Sequence, residues 1–278
     1  MRQTEIQVRT TDGLDLFAQE WSPNHQPHAI VCVMHGLGEH GGRYVAMAEA
    51  LGKRGIALMA LDSRGHGRSD GKRGHTPSHD ALLSDIGLLI ERVEARHPGL
   101  PVFLYGHSLG GNLVINYALR RDPRLAGLVA TGPWLGLTKE ISWNRAFFGR
   151  LVEPFWPSLT FSTMSDRDDE DKESRADLDP ELFHDFISLR MLLSARRAGR
   201  WAVKYANRLR IPALLIHGEL DPVTSPLITR QFGERAGDVC TVEILPGMYH
   251  NVHEEDDEVV RQIADWLISR VAELGSGA

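Results

Sequence analysis

Three residues in one order could do chemistry in this 278-residue chain: Ser108, Asp221 and His250. Ser108 sits in Gly106-His107-Ser108-Leu109-Gly110-Gly111, directly after the strand-forming run Val102-Phe103-Leu104-Tyr105. Helical spacing follows, with Leu113, Val114, Tyr117 and Ala118 on one face. A strand, a sharp turn and a helix hold a serine in a strained conformation, and flanking glycines keep that turn free of clashes. The helix begins at the serine, so its unsatisfied amides and positive dipole end would face a developing oxyanion. The five-residue pattern alone has low specificity. Its bland reading is a glycine-rich strand-to-helix turn with a solvated serine.

A serine hydroxyl needs a base to become a nucleophile near neutral pH. Histidine is the side chain suited to take that proton near neutral pH and later return it to a leaving group, and His250 lies in Tyr249-His250-Asn251-Val252-His253. Asp221 follows the apolar run Ile211–His217 in Gly218-Glu219-Leu220-Asp221-Pro222. Pro222 disfavours helix at Asp221 and keeps its carboxylate in a loop at a strand end. There it would orient one imidazole nitrogen and stabilise the imidazolium. His253 is the rival base and Glu219 the rival acid. The three candidates lie beyond three different strands, and their joint occurrence outweighs the bland reading of Ser108.

A second glycine-rich loop, His35-Gly36-Leu37-Gly38-Glu39-His40-Gly41-Gly42-Arg43, ends the solidly apolar run 29–34. Gly36 and Gly38 let the backbone approach a substrate closely. The Leu37 amide would pair with the Leu109 amide as oxyanion donors, or the loop is a plain tight turn into a helix over 44–54.

The elements that must hold these loops are legible as an alternation. Residues 4–11 and 14–21 alternate about Asp12-Gly13, which predicts a β-hairpin. Apolar runs at 29–34, 56–61, 125–131 and 211–217 suit strands buried on both faces, and 239–245 is a further strand. Ser78 can cap a helix carrying the stripe Leu82, Ile86, Leu89, Ile90 and Val93, which Pro98 ends. A closing helix runs over Val259, Ile263, Trp266 and Leu267. Strand and helix in alternation predict an α/β protein with a mostly parallel sheet and helices on both faces. The polar loop Asp62–Gly71 reads as structural support.

Residues 134–161 break this rhythm. They hold Trp134, Trp143, Phe147, Phe148, Phe155, Trp156 and Phe161, seven of the chain's 20 aromatic residues, 6 Trp, 9 Phe and 5 Tyr. Such a density predicts an inserted cap over an apolar cleft, its aromatics lining an acyl-chain site or burying the cap against the core. The acidic stretch 165–185, including Asp166, Asp168, Asp169, Glu170 and Asp171, has interleaved cations and no calcium-loop spacing, so it reads as a solvated loop. Residues 181–206 read as a helix returning to the core.

Hydrophobic content of 42%, charged content of 24% and a net charge of -6 describe a globular chain with no nucleic-acid surface. No apolar run approaches a membrane span. Residues 1–5 lead into a strand rather than a signal peptide. Cys32 and Cys240, in predicted core strands, read as buried thiols of a reducing cytoplasm, with no metal-ligand spacing.

Taken together, the blocks are specific. His35-Gly36-Leu37-Gly38-Glu39-His40 with Gly42-Arg43-Tyr44, Asp62 with Arg64-Gly65-His66-Gly67-Arg68-Ser69-Asp70-Gly71, Gly106–Gly111, His217-Gly218 with Asp221, and Tyr249-His250 with His253-Glu254 resemble the monoacylglycerol lipase and lysophospholipase-like branch of the α/β hydrolases, grouped with serine aminopeptidase-like proteins. The order serine, acid, histidine is the order of that fold. The resemblance implies an eight-stranded α/β-hydrolase core over 1–133 and 205–278 with a cap over 134–204. It implies that Ser108, Asp221 and His250 are the triad, with Leu37 and Leu109 as oxyanion amides. Glu39, Arg43 and His253 would lie near a polar pocket for a glycerol hydroxyl. The implied activity is cofactor-free hydrolysis of a single-chain lipid ester, foremost a monoacylglycerol. The aromatic composition of the cap adds the expectation of a transient membrane contact by a cytoplasmic protein. A lysophospholipase, a short-chain carboxylesterase, an aminopeptidase-type hydrolase and a non-catalytic binder are the alternatives. The cap matches the family only loosely, near Asp179-Pro180, and Ala176 stands where a family tyrosine helps grip the glycerol end.

Overall fold

The Asp12-Gly13 turn closes an antiparallel pair of strands, β1 (Arg2–Arg9) and β2 (Asp15–Ser22), with Val8 opposite Leu16. In this computed structural model, which describes residues 1–121, 124–163 and 182–276, that pair forms one edge of an eight-stranded sheet. The other strands are β3 (Ala29–Met34), β4 (Ile56–Leu61), β5 (Val102–His107), β6 (Gly127–Thr131), β9 (Ala213–Gly218) and β10 (Cys240–Leu245). Their order is β1-β2-β4-β3-β5-β6-β9-β10. β2 runs antiparallel to β4, and all pairs from β4 to β10 are parallel.

Every residue of β3, β4, β5, β6 and β9 is buried, as helices on both faces require. Alternate side chains part to the two faces. On one face Ile30, Cys32, Met34, Leu104 and Leu215 meet α2 (His79–Arg96), α3 (Leu109–Arg121) and Phe232 of α6 (Pro226–Ala236). On the other, Val31, Val33, Phe103, Tyr105 and Ile216 meet α1 (Val45–Lys53) and α7 (Asp257–Ser276). The Ser78 hydroxyl caps α2 by accepting from the Ala81 amide at 3.0 Å. Charges pack the Asp62–Gly71 loop: Arg64 pairs with buried Asp85 at 2.7 Å and with Asp12 at 2.7 Å.

Between β6 and β9 lie α4 (Trp143–Val152), a two-stranded antiparallel pair of β7 (Thr160–Ser162) and β8 (Phe186–Ser188), and α5 (Leu189–Lys204). The helix expected over 181–206 is therefore shorter. Ser188 caps it, its hydroxyl accepting from the Met191 amide, and β8 occupies the residues before it. β10 is an edge strand, so Cys240 is half-buried rather than a core thiol, whereas Cys32 is fully buried; both are free. The insertion is tied to the core by backbone bonds from His184 N to Gly38 O and from Ser188 N to Gly74 O. Asp166, Asp168, Asp169, Glu170, Asp171, Ala176, Asp179 and Pro180 lie outside the described residues.

Candidate active site

β5, β9 and β10 deliver three loops to the carboxyl edge of the sheet, where open parallel sheets bind ligands. Ser108 follows β5 and has φ +52°, a positive value that non-glycine residues rarely hold. Local packing enforces it. A Cβ on Gly106 would lie 2.3 Å from Gly110 O, and one on Gly110 would lie 1.9 Å from Met34 O. Neither glycine has room for a side chain. The Ser108 amide is bonded to Thr131 O and its carbonyl accepts from Asn112 and Trp134, so the turn is fixed from both flanks.

Ser108 Oγ lies 3.0 Å from His250 Nε2, and His250 Nδ1 lies 2.6 Å from Asp221 Oδ2. All three residues are buried. Asp221 Oδ1 accepts from the amides of Val223 and Thr224 at 2.8 and 2.9 Å. Oδ2 also faces the Thr224 hydroxyl at 2.8 Å and His217 Nε2 at 3.0 Å. Burial works against a charge on Asp221, yet the neighbouring His250 and His217 hold its carboxyl well below the usual range. Glu219, the rival acid, is exposed and its carboxylate accepts from the Gly247 amide instead.

His253, the rival base, sits behind His250 rather than beside Ser108. Its ring stacks on Tyr44 at 5.5 Å and touches His107 at 4.6 Å, and His107 touches His250 at 4.8 Å. Burial holds His253 down to about 4 and His107 well below the usual histidine value, so both are neutral near pH 7. Arg43 lies 3.4 Å from Glu39 and also pairs with Glu254, its side chain only 3% exposed. The structure thus brings Glu39, Arg43 and His253 into one polar cluster under the His35–Arg43 loop. Arg43 Nε and Nη1, His253 Nδ1, His107 Nε2 and Tyr44 Oη are buried there without hydrogen-bond partners.

Glu39 has a second task. Its Oε2 accepts from the Gly36 amide at 3.1 Å, bracing the residue before Leu37. Gly38 follows with φ +79°, and a Cβ there would lie 2.0 Å from His184 O of the insertion. Leu109 is the first residue of α3. Among the described residues neither the Leu37 nor the Leu109 amide has a hydrogen-bond acceptor. Free amides at a loop and at a helix start are what a developing oxyanion needs.

The sequence assigned no role to His217, Thr224 or Asn112. His217 Nε2 faces two acceptors, Asp221 Oδ2 and Thr224 O, so it carries the proton and donates; its Nδ1 is 2.8 Å from the Thr229 hydroxyl. Asn112 donates to Trp134 O and Ala195 O, pinning α5 against the serine turn. The expectation that aromatics bury the cap is corrected for most of them. Trp134 is buried, but Trp143 is 78%, Phe155 80% and Trp156 69% exposed.

Fold and site define an α/β hydrolase. The chain belongs to the family described as serine aminopeptidase, S33, whose model matches residues 25–257. It is 28% identical to the monoacylglycerol lipase of Mycolicibacterium smegmatis, covering 93% of this chain and 95% of that one. The crystal structure of Paleococcus ferrophilus monoacylglycerol lipase superposes with a TM-score of 0.82 at 33% identity, covering 92% of this chain and 99% of that one. A longer relative, an uncharacterised abhydrolase domain-containing protein of Dictyostelium discoideum, is 34% identical over 94% of this chain, which spans only 28% of that protein's length. These likenesses make the chain a carboxylic ester hydrolase.

Proposed function

We propose that this enzyme cleaves the carboxylic ester of a single-chain lipid, foremost a monoacylglycerol, through an acyl-enzyme on Ser108. One observation carries the reading: the unbroken contact from Ser108 Oγ through His250 to Asp221, with the serine at a positive φ. His250 Nε2 takes the hydroxyl proton as Oγ attacks the ester carbonyl. The amides of Leu37 and Leu109 stabilise the oxyanion. Collapse expels the alcohol, which leaves as glycerol with the proton from His250. A water deprotonated by His250 then attacks the acyl-enzyme and releases the fatty acid. Asp221 stays anionic throughout, and its contact with His250 Nδ1 leaves Nε2 free to face the serine.

The substrate reading leans on the relatives and on two features of this chain. The unpartnered polar atoms of Arg43, His253, His107 and Tyr44 suit hydroxyls of a polar head group. The insertion over 134–204, read as a cap, carries aromatics that suit lipid. Glycerol release from 1-monooleoylglycerol, measured beside lysophosphatidylcholine and p-nitrophenyl butyrate, separates the alternatives. Fast release by wild type, reduced at least about a thousandfold in Ser108→Ala, is expected. Cleavage of the short ester alone would keep the mechanism and discard the lipid substrate. Cleavage of lysophosphatidylcholine alone would move the head group to a phosphocholine.

A further inference from the structure

A cleft of about 410 Å³ lies on the side of the molecule where α2, α3 and α5 meet. His79 from α2, Arg120 from α3, Trp201, Arg190 and Arg197 from α5, and Glu153 after α4 line it. None of these residues belongs to the serine site. Three guanidiniums therefore face one cleft in a chain of net charge -6.

The carboxylates present do not balance them. Glu153 is shared between Arg190 at 2.9 Å and Arg197 at 3.1 Å. Asp80, the second carboxylate of the lining, pairs with Arg121 at 3.3 Å. Among the described residues Arg120 pairs with no carboxylate. Its Nε donates to Asn116 Oδ1 at 3.0 Å, and its guanidinium lies over the Trp201 ring at 3.7 Å. Stacking and one hydrogen bond hold the fork in place while its remaining donors stay open. Burial disfavours the charge on Arg120, and Asp80 and Arg121 beside it pull in opposite directions. The floor residue His79 is neutral, held down to about 4 by burial, and its Nε2 is 3.1 Å from Asn112 Oδ1.

We propose that this cleft binds a phosphate-type oxyanion, held by the guanidiniums of Arg120 and Arg197 between α3 and α5. An oxyanion matches the fork geometry of arginine and removes the imbalance of charge. The cleft is larger than the oxyanion alone, so it admits a phosphate free or carried on a lipid head group. A ligand there clamps α5, part of the insertion, to α3, the helix that starts at the serine turn.

Calorimetric titration with inorganic phosphate, at ionic strength held constant with sodium chloride, tests the site. Wild type is expected to saturate with one site and a dissociation constant below about 10 mM. Arg120→Gln and Arg197→Gln, each checked for an unchanged circular dichroism spectrum, are expected to bind at least about tenfold more weakly. Ser108→Ala is expected to bind as wild type does, so loss of ester hydrolysis and loss of this site are separable. Sedimentation with phosphatidylglycerol and phosphatidylcholine vesicles distinguishes the sources. Arg120→Gln weakens binding to the anionic vesicles alone if the phosphate comes on a lipid, and leaves both unchanged if it is free. No saturation in wild type, or equal affinity in wild type and both arginine variants, would overturn the proposal.

Discussion

Ser108 is held ready by its neighbours rather than by its own chemistry. Gly106 and Gly110 admit no side chain, and Asp221 is surrounded by two amides, a hydroxyl and two imidazoles. Ser108, Asp221 and His250 were legible because glycines, a proline and chain order mark strand-end loops. His217 was not, because a histidine ending a buried strand looks the same in sequence whether it fills space or holds a carboxylate. Its role depends on the fold returning Asp221 over it at 3.0 Å. A hydrogen bond to a charged group contributes about 1.5–3 kcal/mol. His217→Phe is therefore expected to lower kcat by roughly ten- to a hundredfold with KM little changed, because it loosens the acid and leaves the substrate pocket intact. An unchanged kcat in steady-state assays would reduce His217 to packing.

At the scale of elements, strands buried on both faces announced themselves as unbroken apolar runs, and α2 by its cap and stripe. The insertion was less legible. β7 and β8 pair only with each other over three residues, too short for a period to show. Docking of the insertion runs through histidines that no pattern predicts. His184 Nε2 donates to Gly65 O at 3.1 Å, its Nδ1 accepts from the Phe186 amide, and its ring lies 4.5 Å from His66. Burial holds His184 down to about 4, and burial with His35 beside it holds His66 well below the usual value. The unfolded chain therefore takes up protons first as pH falls below about 6.5, and these histidines progressively destabilise the fold down to about 4. Stability is expected to be full above about 6.5, and melting temperature to drop between pH 7 and pH 5, less so in His184→Gln. A flat profile over that range would contradict neutral histidines under the insertion.

One surface of the molecule carries Trp143, Phe148, Phe155 and Trp156, each more than two-thirds exposed, within a stretch of 14 residues. No helix among the described residues is long and apolar enough to cross a membrane. Exposed aromatics at this density suit the face of a lipid layer. Phe155→Ala with Trp156→Ala is expected to weaken sedimentation with phosphatidylcholine vesicles while leaving hydrolysis of p-nitrophenyl butyrate intact. Unchanged sedimentation would remove the membrane contact from the account. The aromatic density was legible in sequence. That these side chains point outward was not, because burial against the core and exposure to lipid demand the same residue types.

Labelling with a fluorophosphonate probe, located by mass spectrometry, tests the central claim most directly, because only an activated nucleophile reacts quickly. One adduct is expected, on the peptide containing Ser108, absent in Ser108→Ala and much slower to form in His250→Ala. An adduct on another residue, or none on the folded wild-type protein, would contradict it.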